Sequence, residues 1–369
     1  MRTVRYSALL GRPERHLQPA IRALMKGARV LVTGAGGSIG QELCRQIRSC
    51  EPDALFMLDH DESNLHSLQL ELEGKALLDN HDVIIADIRD RARIEQVFRY
   101  ARPEIVFHAA AHKHLPLLER HPCEGVKSNV LGTQNLVQAA LLVGTERFVL
   151  ISTDKAADPR SILGATKRLA EMIVQAHAGG PTQVCSVRFG NVLGSRGSFL
   201  TAVADQVERG DAVTVTHPEV TRFFMTVEEA VGLVLSAAPM GERGETFVLD
   251  MGEPVRIVDL VSRYVKHLRC PDPEIRYTGL RPGEKLHETL FGESEERLAT
   301  ANPGIWATRP NRLPVDFTAQ VNNLYAAAAE GWDTQVRSML EDLMPDYTAA
   351  AASAEELASA AQGHYADEF

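Results

Sequence analysis

Thr153, Asp154 and Lys155 are consecutive in the sequence, and Lys167 follows them in the next helix-length segment. A carboxyl group beside an amine can divide acid–base work, because a protonated carboxyl donates a proton and a neutral amine accepts one. A hydroxyl group next to the carboxyl can relay a proton to it. The four residues are therefore candidates for acid–base catalysis. The alternative is that Asp154 and Lys155 form a solvated charge pair that closes a loop.

The Thr-Asp-Lys triplet directly follows an apolar segment that predicts a β-strand. Similar segments alternate with helix-length segments along the chain, and this alternation predicts an α/β fold, a Rossmann-like doubly wound parallel sheet. The predicted strands cover 30–33, 54–58, 82–86, 105–107, 147–152 and 184–188, and the predicted helices cover 38–49, 62–73, 91–99, 124–143 and 162–177. Ligands bind at the carboxyl ends of strands in such sheets, so the triplet is predicted to lie at the ligand-binding edge.

After residue 191 the alternation stops, and loops rich in Gly, Arg and Pro predict a smaller C-terminal lobe that binds the substrate. A strand at 214–216 belongs to this lobe, whereas a strand at 246–249 is predicted to return to the main sheet. We therefore divide the chain into an N-terminal arm (1–27), a dinucleotide-binding domain (28–190, with a returning segment at about 223–255), a substrate lobe (191–222 and 256–345) and a flexible tail (346–369).

A glycine-rich segment between the first strand and the first helix predicts a dinucleotide site. Its glycines would let backbone N–H groups and the helix N-terminus face a pyrophosphate. Asp59 ends the next strand, where its carboxylate would bind a ribose 2′-hydroxyl and repel a 2′-phosphate, which favours NAD over NADP. The alternative is merely a tight turn between strand and helix. The candidate contacts in the loop are Gly34, Gly37, Ser38, Ile39 and Gly40.

Two further segments are predicted to line the cofactor. Asp87 and Ile88 follow the third strand and would lie beside the adenine ring. Ala109 belongs to a run of three alanines after the fourth strand, and such small side chains would let a nicotinamide ribose pass. For the alanines, plain packing is the alternative.

The overall charge and the cysteine pattern exclude several classes of protein. A net charge of −10 argues against nonspecific binding of nucleic acid or of an anionic membrane. The five cysteines are scattered without metal-ligand spacing, so we expect reduced thiols, no metal site and a cytoplasmic protein. No apolar run is long enough for a membrane span. We also expect the chain to form a homo-oligomer.

Seven segments together resemble one known family. They cover 30–40, 110–116, 152–156, 164–168, 189–196, 221–226 and 280–287. The chain resembles, over about residues 5–345, the polysaccharide-biosynthesis branch of the extended short-chain dehydrogenases/reductases, whose best-known members are UDP-N-acetylglucosamine 4,6-dehydratases. The segment 9–13 is similar to the one that joins a membrane domain to the soluble domain in long members, so the resemblance implies a soluble form without that membrane domain.

The resemblance implies a redox-neutral cycle on a nucleotide sugar. NAD would take hydride from C4, a base would remove the C5 proton, an acid would protonate the departing C6 hydroxyl, and the hydride would return to C6. By position, Lys155 is the expected base, Asp154 the acid, and Thr153 a relay for the O4 proton. A lysine base must be neutral, and we expect burial beside Lys167 to lower the pKa of Lys155. Leu163 replaces the tyrosine of short members and cannot transfer a proton.

The same resemblance suggests which residues hold the nucleotide sugar. Lys113 and His114 would reach the sugar or its phosphates, and the other candidates are Asn191, Arg222 and Arg281 for the diphosphate and Glu284 for ribose hydroxyls. For each, a surface or loop-tethering role is the alternative. Three functions remain open: a 4,6-dehydratase, a related nucleotide-sugar epimerase or oxidoreductase, and a catalytically silent nucleotide-binding homologue.

Overall fold

The computed structural model describes residues 6–10, 19–74, 80–241, 243–309, 312–344 and 347. Residues 1–5 and 11–18 of the predicted arm and nearly all of the predicted tail lie outside the described residues. None of the helices in the described ranges is both long and apolar enough to cross a membrane.

The described residues form fifteen strands and fourteen α-helices. The strands are β1 (Arg29–Thr33), β2 (Ala54–Asp59), β3 (Val83–Ile85), β4 (Ile105–His108), β5 (Arg147–Ile151), β6 (Gln183–Arg188), β7 (Asn191–Leu193), β8 (Val213–Val215), β9 (Thr221–Arg222), β10 (Phe224–Thr226), β11 (Thr246–Leu249), β12 (Val255–Arg256), β13 (Ile275–Tyr277), β14 (Leu298–Ala299) and β15 (Ile305–Thr308). The helices are α1 (Tyr6–Leu10), α2 (Pro19–Met25), α3 (Ser38–Arg48), α4 (Glu62–Glu73), α5 (Arg91–Ala101), α6 (Leu115–Arg120), α7 (Pro122–Gly125), α8 (Gly132–Val143), α9 (Ile162–Ala176), α10 (Phe199–Arg209), α11 (Val227–Ala237), α12 (Ile257–Leu268), α13 (Phe317–Ala329) and α14 (Asp333–Leu343).

Nine strands make the main sheet, in the order β14-β15-β11-β6-β5-β4-β1-β2-β3. From β11 to β3 all neighbours are parallel, whereas β15 and β14 add an antiparallel edge. The doubly wound parallel sheet is thus confirmed, and so is the return of β11 to it. The antiparallel edge was not predicted, because two short strands carry too little periodicity to distinguish them from loops.

Helices cover both faces of this sheet, which explains why its strands are apolar on both sides. One face packs on α3 and α11 through residues such as Leu43, Ile47 and Val231. The other packs on α5, α8 and α9 through residues such as Phe98 and Leu136. With both faces covered, the open carboxyl edge of the strands is left for ligands.

The substrate lobe has a core of its own. Strands β8 and β13 pair there, and α10, α12 and α1 pack around them with Val203, Val215, Leu260 and Leu9 among the buried residues. The domain division remains a prediction. Within the C-terminal range assigned to this lobe, β15 joins the main sheet, and α13 packs against α7 and residues Val126–Leu131 while α14 packs against α7, in a buried cluster that also includes residues of α9. The apolar faces of α13 and α14 join this cluster through tertiary contacts that sequence periodicity alone does not reveal.

The predicted helix 124–143 is interrupted in the structure. Residues Val126–Leu131 form a π-helical turn between α7 and α8. There the buried amide of Asn129 accepts from His112 N at 2.8 Å and donates to His112 O at 3.1 Å and to Thr166 Oγ1 at 3.0 Å. The wider turn therefore ties the loop after β4 to α9, and such turns occur frequently at functional sites.

A buried group of charges joins β6, α9 and the segment before β14. Arg188 is fully buried and donates to both oxygens of Glu171 at 2.7 Å and to both oxygens of Glu295 at 2.6 and 2.9 Å. Arg168 contacts both carboxylates from the side. Burial raises the pKa of Glu295, but the charge and hydrogen bonds of Arg188 together with the charge of Arg168 and the N–H of Gly292 outweigh this effect and lower the pKa to about 2.

Replacing Arg188 with Met should lower the free energy of unfolding by about 3–5 kcal/mol, because it leaves two buried carboxylates with only Arg168 as a counter-charge. Urea unfolding followed by circular dichroism measures this loss. The control is Arg256→Met, which removes an exposed pair with Asp259 and should cost less than about 1 kcal/mol. Equal losses in the two variants would contradict a central role of the buried network.

Candidate active site

The glycine-rich loop between β1 and α3 forms a narrow cradle. Gly34 has a φ of +67°, and a Cβ added there would lie 2.5 Å from Ala110 N. A Cβ at Gly40 would collide with the carbonyl of Gly34, so the missing side chain lets α3 lie close against the loop. The backbone of Gly37 precedes α3 and faces the cleft with Ser38. This local geometry suits a pyrophosphate held by backbone N–H groups at a helix N-terminus.

Asp59 stands at the end of β2 and closes the far side of this cradle. Its Oδ2 accepts a hydrogen bond from Gly36 N at 2.8 Å, and its Oδ1 accepts one from Asp61 N at 3.0 Å. Each oxygen keeps a lone pair, and the residue lines the cleft. The carboxylate therefore both fixes the loop and has acceptor capacity left for a hydroxyl group.

A continuous cleft runs along the carboxyl edge of the sheet in two connected parts, of about 440 and 530 Å³. The first part begins at Asp59 and is lined by the predicted adenine contacts Asp87 and Ile88, and Ala109 lines both parts. Burial raises the pKa of Asp87, but hydrogen bonds from Arg89 outweigh it and lower the value. The second part is lined by Ile39, Gly40 and the catalytic candidates described below.

The segment around Arg196 crosses the cleft above the glycine-rich loop. Its guanidinium donates to the carbonyl of Gly36 and to Asn64 Oδ1, and its backbone N–H donates to Ser38 Oγ at 3.0 Å. Lys113 Nζ donates to the carbonyl of Arg196 at 3.0 Å. Lys113 and its neighbour His114 line both parts of the cleft, and their contacts with a sugar or its phosphates stay a prediction.

The Thr-Asp-Lys triplet lies at the end of β5, where it was predicted. Thr153 Oγ1 donates to Asp154 Oδ1 at 3.0 Å, and Lys155 Nζ donates to the same oxygen at 3.0 Å. Lys155 Nζ also donates to Asn191 Oδ1 at 3.4 Å. Asp154 is fully buried, and its Oδ2 has no hydrogen-bond partner among the described residues. The hydroxyl, carboxyl and amine therefore form one connected chain for protons, whose Thr153 and Lys155 ends line the second part of the cleft.

The expectation that the pKa of Lys155 is lowered is wrong. Burial does lower it, but the charges of Asp154 and Glu288 outweigh this effect, so the pKa of Lys155 is raised. Glu288 Oε1 lies 3.5 Å from Lys155 Nζ. Resting Lys155 is therefore an ammonium held between two carboxyl groups, one of which comes from a remote part of the chain.

Lys167 differs from Lys155, because no carboxylate of the described residues forms an ion pair with its amine. Its Nζ donates to Ile151 O at 2.6 Å, and burial lowers its pKa to about 8 although the charge of Glu171 opposes the shift. Leu163 lies one turn earlier on α9 and is buried in the wall of the cleft. The position usually held by tyrosine thus contributes packing and no proton-transfer group.

The other substrate candidates fall into two groups. Arg222 is buried, and its guanidinium donates to Glu284 Oε1 at 2.7 Å and to Thr221 O at 2.7 Å. Asn191 lies beside Lys155, whereas Arg281 is exposed on the loop that follows β13. Because Arg222 and Glu284 already bind each other, they hold the lobe segment in place. The contacts of all four with a nucleotide sugar remain predictions.

Sequence reasoning missed Arg196, Glu288 and Asn129. Arg196 and Glu288 lie at or just beyond the ends of two recognised motifs, so their positions were visible but not their partners. Asn129 lies within a regular helical pattern that hides the π-helical turn. Long-range contacts, rather than local spacing, assign all three to the site.

Replacing Gly164 with Ala should lower the free energy of unfolding by about 1–3 kcal/mol, because the new methyl group would collide with the carbonyl of Lys155. Urea unfolding measures the change. Gly125→Ala is the matched control: its added carbon would meet flexible side-chain carbons at 3.3 Å or more, and its effect should stay below about 1 kcal/mol. An unchanged stability for Gly164→Ala would mean that α9 does not constrain the catalytic loop.

The sequence matches the family described as "Polysaccharide biosynthesis protein" over residues 30–310. It is 48% identical over 313 residues to the probable polysaccharide biosynthesis protein EpsC of Bacillus subtilis (strain 168), covering 83% of this chain and 52% of EpsC. It is 32% identical over 281 residues to the UDP-glucose 4-epimerase of Rickettsia rickettsii (strain Sheila Smith), covering 74% of this chain and 80% of that protein.

Among solved structures, the chain is similar to Pen from Bacillus thuringiensis, with 31% identity and a TM-score of 0.71, covering 77% of this chain and 89% of Pen. The chain spans about half the length of EpsC. The match over residues 30–310 covers most of the chain, including the glycine-rich loop, the Thr-Asp-Lys triplet and the segment that carries Glu288. This chain belongs to the polysaccharide biosynthesis protein family and has the fold of the extended short-chain dehydrogenases/reductases.

Proposed function

We propose that this chain is a nucleotide-sugar 4,6-dehydratase, a carbon–oxygen lyase that converts UDP-N-acetylglucosamine to a UDP-4-keto-6-deoxy sugar. The contact between Lys155 Nζ and Asp154 Oδ1, at 3.0 Å beside a dinucleotide cleft, carries this proposal. Removal of water across C5 and C6 needs a base and an acid close to each other, and this pair supplies both groups. The similarity to proteins named for polysaccharide biosynthesis agrees with a product used in making such polymers.

The cleft fits a nicotinamide adenine dinucleotide. Gly37 has no side chain where a cofactor phosphate would approach, and Asp59 has acceptor capacity left at the ribose end. When bound, NAD supplies the acceptor for hydride from C4 and the donor that returns it to C6. The carboxylate of Asp59 favours NAD over NADP, because it accepts from a 2′-hydroxyl and repels a 2′-phosphate. Lys167, with its amine at the wall of the cleft, is proposed to bind the cofactor ribose.

The triplet divides the proton transfers on the sugar. Thr153 takes the O4 proton and passes it to Asp154, along the hydrogen bond of 3.0 Å that already joins them. A threonine hydroxyl is a weak base, but in this relay the carboxylate of Asp154 is the final acceptor of the O4 proton. Asp154 then protonates the departing C6 hydroxyl, and Lys155 removes the C5 proton. Leu163 takes no part beyond packing.

The nucleotide is held at the mouth of the lobe. Arg281 is exposed and free to turn toward a diphosphate, so it is the stronger candidate of the two arginines. Arg222 is instead committed to Glu284 and holds the segment that borders the sugar. Lys113, His114 and Asn191 lie along the same cleft and complete the proposed set.

The second candidate is a nucleotide-sugar 4-epimerase, which the identity of 32% to a protein of that name favours. An epimerase removes and returns hydride at C4 and needs no acid–base pair at C5 and C6. The connected Asp154–Lys155 pair would have no task in that reaction, which favours dehydration. A product that has lost one water separates the two candidates.

Incubation of the protein with UDP-N-acetylglucosamine in D₂O should give a product that lacks one water and carries one deuterium at C5, measured by mass spectrometry and NMR. Lys155 returns a solvent-derived proton to C5, whereas the hydride moved from C4 to C6 does not exchange. Lys155→Met should lower the rate of dehydration by at least about 100-fold, the lower end of the range for a positioned acid–base group.

The matched control is Lys266→Met on the exposed side of α12, which should keep the rate of the unaltered protein. Isomerised UDP-sugar without loss of water would establish the epimerase instead. Near-normal dehydration by Lys155→Met would remove Lys155 from the mechanism.

Replacing Asp59 with Asn should weaken NADH binding by about 1.5–3 kcal/mol, because the ribose hydroxyl would then donate to a neutral amide oxygen instead of a charged carboxylate. The same change should bring the dissociation constants of NADH and NADPH closer together, because repulsion of the 2′-phosphate disappears. Fluorescence titration measures both constants. The control is Asp211→Asn on the lobe surface, and an unchanged ratio of the two constants would mean that Asp59 does not select the cofactor.

A further inference from the structure

Glu288 is a buried carboxylate beside the proposed base, and it has no role in the functions considered so far. Its Oε1 lies 3.5 Å from Lys155 Nζ and 3.9 Å from Arg222 Nε. Its side chain is 3% exposed, and its Oε2 is buried with no hydrogen-bond partner among the described residues. A buried carboxylate oxygen without a partner is costly, so such an oxygen is suited to receive a proton.

The position of Glu288 is fixed by the segment that carries it. Thr221 N donates to Leu286 O at 3.1 Å, and Arg222 Nη1 donates to the same carbonyl at 3.3 Å. These bonds attach the segment to β9, and two residues further along Glu288 lies against Lys155. The approach is thus set by backbone contacts and is not a chance contact of a mobile side chain.

Dehydration requires a group that takes a proton from Lys155 before Lys155 can act as a base. Lys155 rests as an ammonium, because the carboxylates of Asp154 and Glu288 outweigh burial, yet it must be neutral to accept the C5 proton. Asp154 is unsuited to take the ammonium proton, because it receives the O4 proton through Thr153 in the same step. The charged groups that face Lys155 are Asp154, Glu288 and Arg222, and of these only Glu288 is left to accept a proton.

We propose that Glu288 takes the proton of Lys155 before C5 is deprotonated and returns it at the end of the cycle. This inference rests on the proposed dehydration. Glu288 acts through Lys155 and does not contact the reacting carbons itself.

The cycle balances with this assignment. As C4 is oxidised, the O4 proton passes through Thr153 to Asp154, and the ammonium proton of Lys155 passes to Glu288. Neutral Lys155 then takes the C5 proton, the electrons of that bond form the C5–C6 double bond, and the hydroxyl leaves C6 with the proton of Asp154 as water. Hydride adds at C6, Lys155 returns its proton to C5, and Glu288 reprotonates Lys155. Every side chain thus regains its starting state.

Other charges near Glu288 do not replace it. The guanidinium of Arg222 has donors and no acceptor atom, and it is bound to Glu284 at 2.7 Å. Lys285 also lies near the carboxyl groups, but its Nζ is a donor bound to Ala157 O at 3.0 Å. Glu288 is therefore the acceptor that the geometry provides.

The test uses Glu288→Gln, which keeps the size of the side chain but cannot take up the proton. We expect kcat for dehydration and deuterium incorporation at C5 to fall together by at least about tenfold, with little change in KM. A second measurement needs no substrate: the pH dependence of amine labelling at Lys155, followed by peptide mass spectrometry. Labelling should begin at lower pH in Glu288→Gln, because a neighbouring negative charge is gone.

Glu296→Gln is the control, since Glu296 forms an exposed pair with Arg309 and should change neither measurement. Formate added to Glu288→Ala should restore part of the rate, which a purely structural role would not allow. Unchanged kcat and C5 exchange in Glu288→Gln would overturn the proposal, as would a loss of thermal stability with unchanged labelling of Lys155. If no nucleotide sugar is dehydrated, the proposed function fails, while the labelling still decides whether Glu288 and Lys155 exchange charge.

Discussion

The position of the site depends on the buried ion pairs of Arg188. Arg188 holds Glu171 of α9 and Glu295 of the segment before β14, and Glu171 also accepts from Ser152 Oγ at 2.6 Å. Ser152 directly precedes the Thr-Asp-Lys triplet. Three charges without solvent are costly unless each is paired, so these elements have essentially one arrangement that satisfies all of them. The end of β5, just before the triplet, is therefore held in place by the buried ion pairs of Arg188 and by the helices that pack on both faces of the sheet.

Lys155 has to be charged in the resting site and neutral during one step of the proposed reaction. Its neighbours Asp154 and Glu288 hold it as a cation, which keeps the side chain in place and satisfies buried carboxylates. The proposed chemistry requires the neutral amine for one step only. If Lys155 were neutral at rest, the carboxylates of Asp154 and Glu288 would lose its positive charge as a partner in a buried position. The free-energy cost of that state is greater than the cost of transferring one proton from Lys155 to Glu288 during the reaction. Absence of a proton-transfer group at Leu163 makes this arrangement more important, because no tyrosine shares the work.

Local patterns were sufficient for the sheet, the glycine-rich loop and the triplet, because strand periodicity and turn chemistry depend on neighbouring residues. They failed at several side-chain contacts that join distant parts of the chain. The pKa of Lys155 was expected to fall with burial, but the charges of Asp154 and of the distant Glu288 raise it, and the contact with Glu288 was not foreseeable. The interruption at Asn129 depends on partners on the loop after β4 and on α9. The packing of α13 and α14 likewise depends on contacts with α7, which lies far from them in the sequence.

The segment 281–288 links recognition of the substrate to its chemistry under the proposed function. Its first part carries Arg281 and Glu284, the candidates for the nucleotide, and its last residue is Glu288 beside Lys155. Arg222 joins the two ends, because it donates to Glu284 and lies near Glu288. A nucleotide that drew Glu284 away from Arg222 would leave the guanidinium freer to stabilise Glu288 in its charged form. Binding of the nucleotide and the contact between Arg222 and Glu288 are therefore expected to depend on each other, since both involve the same arginine.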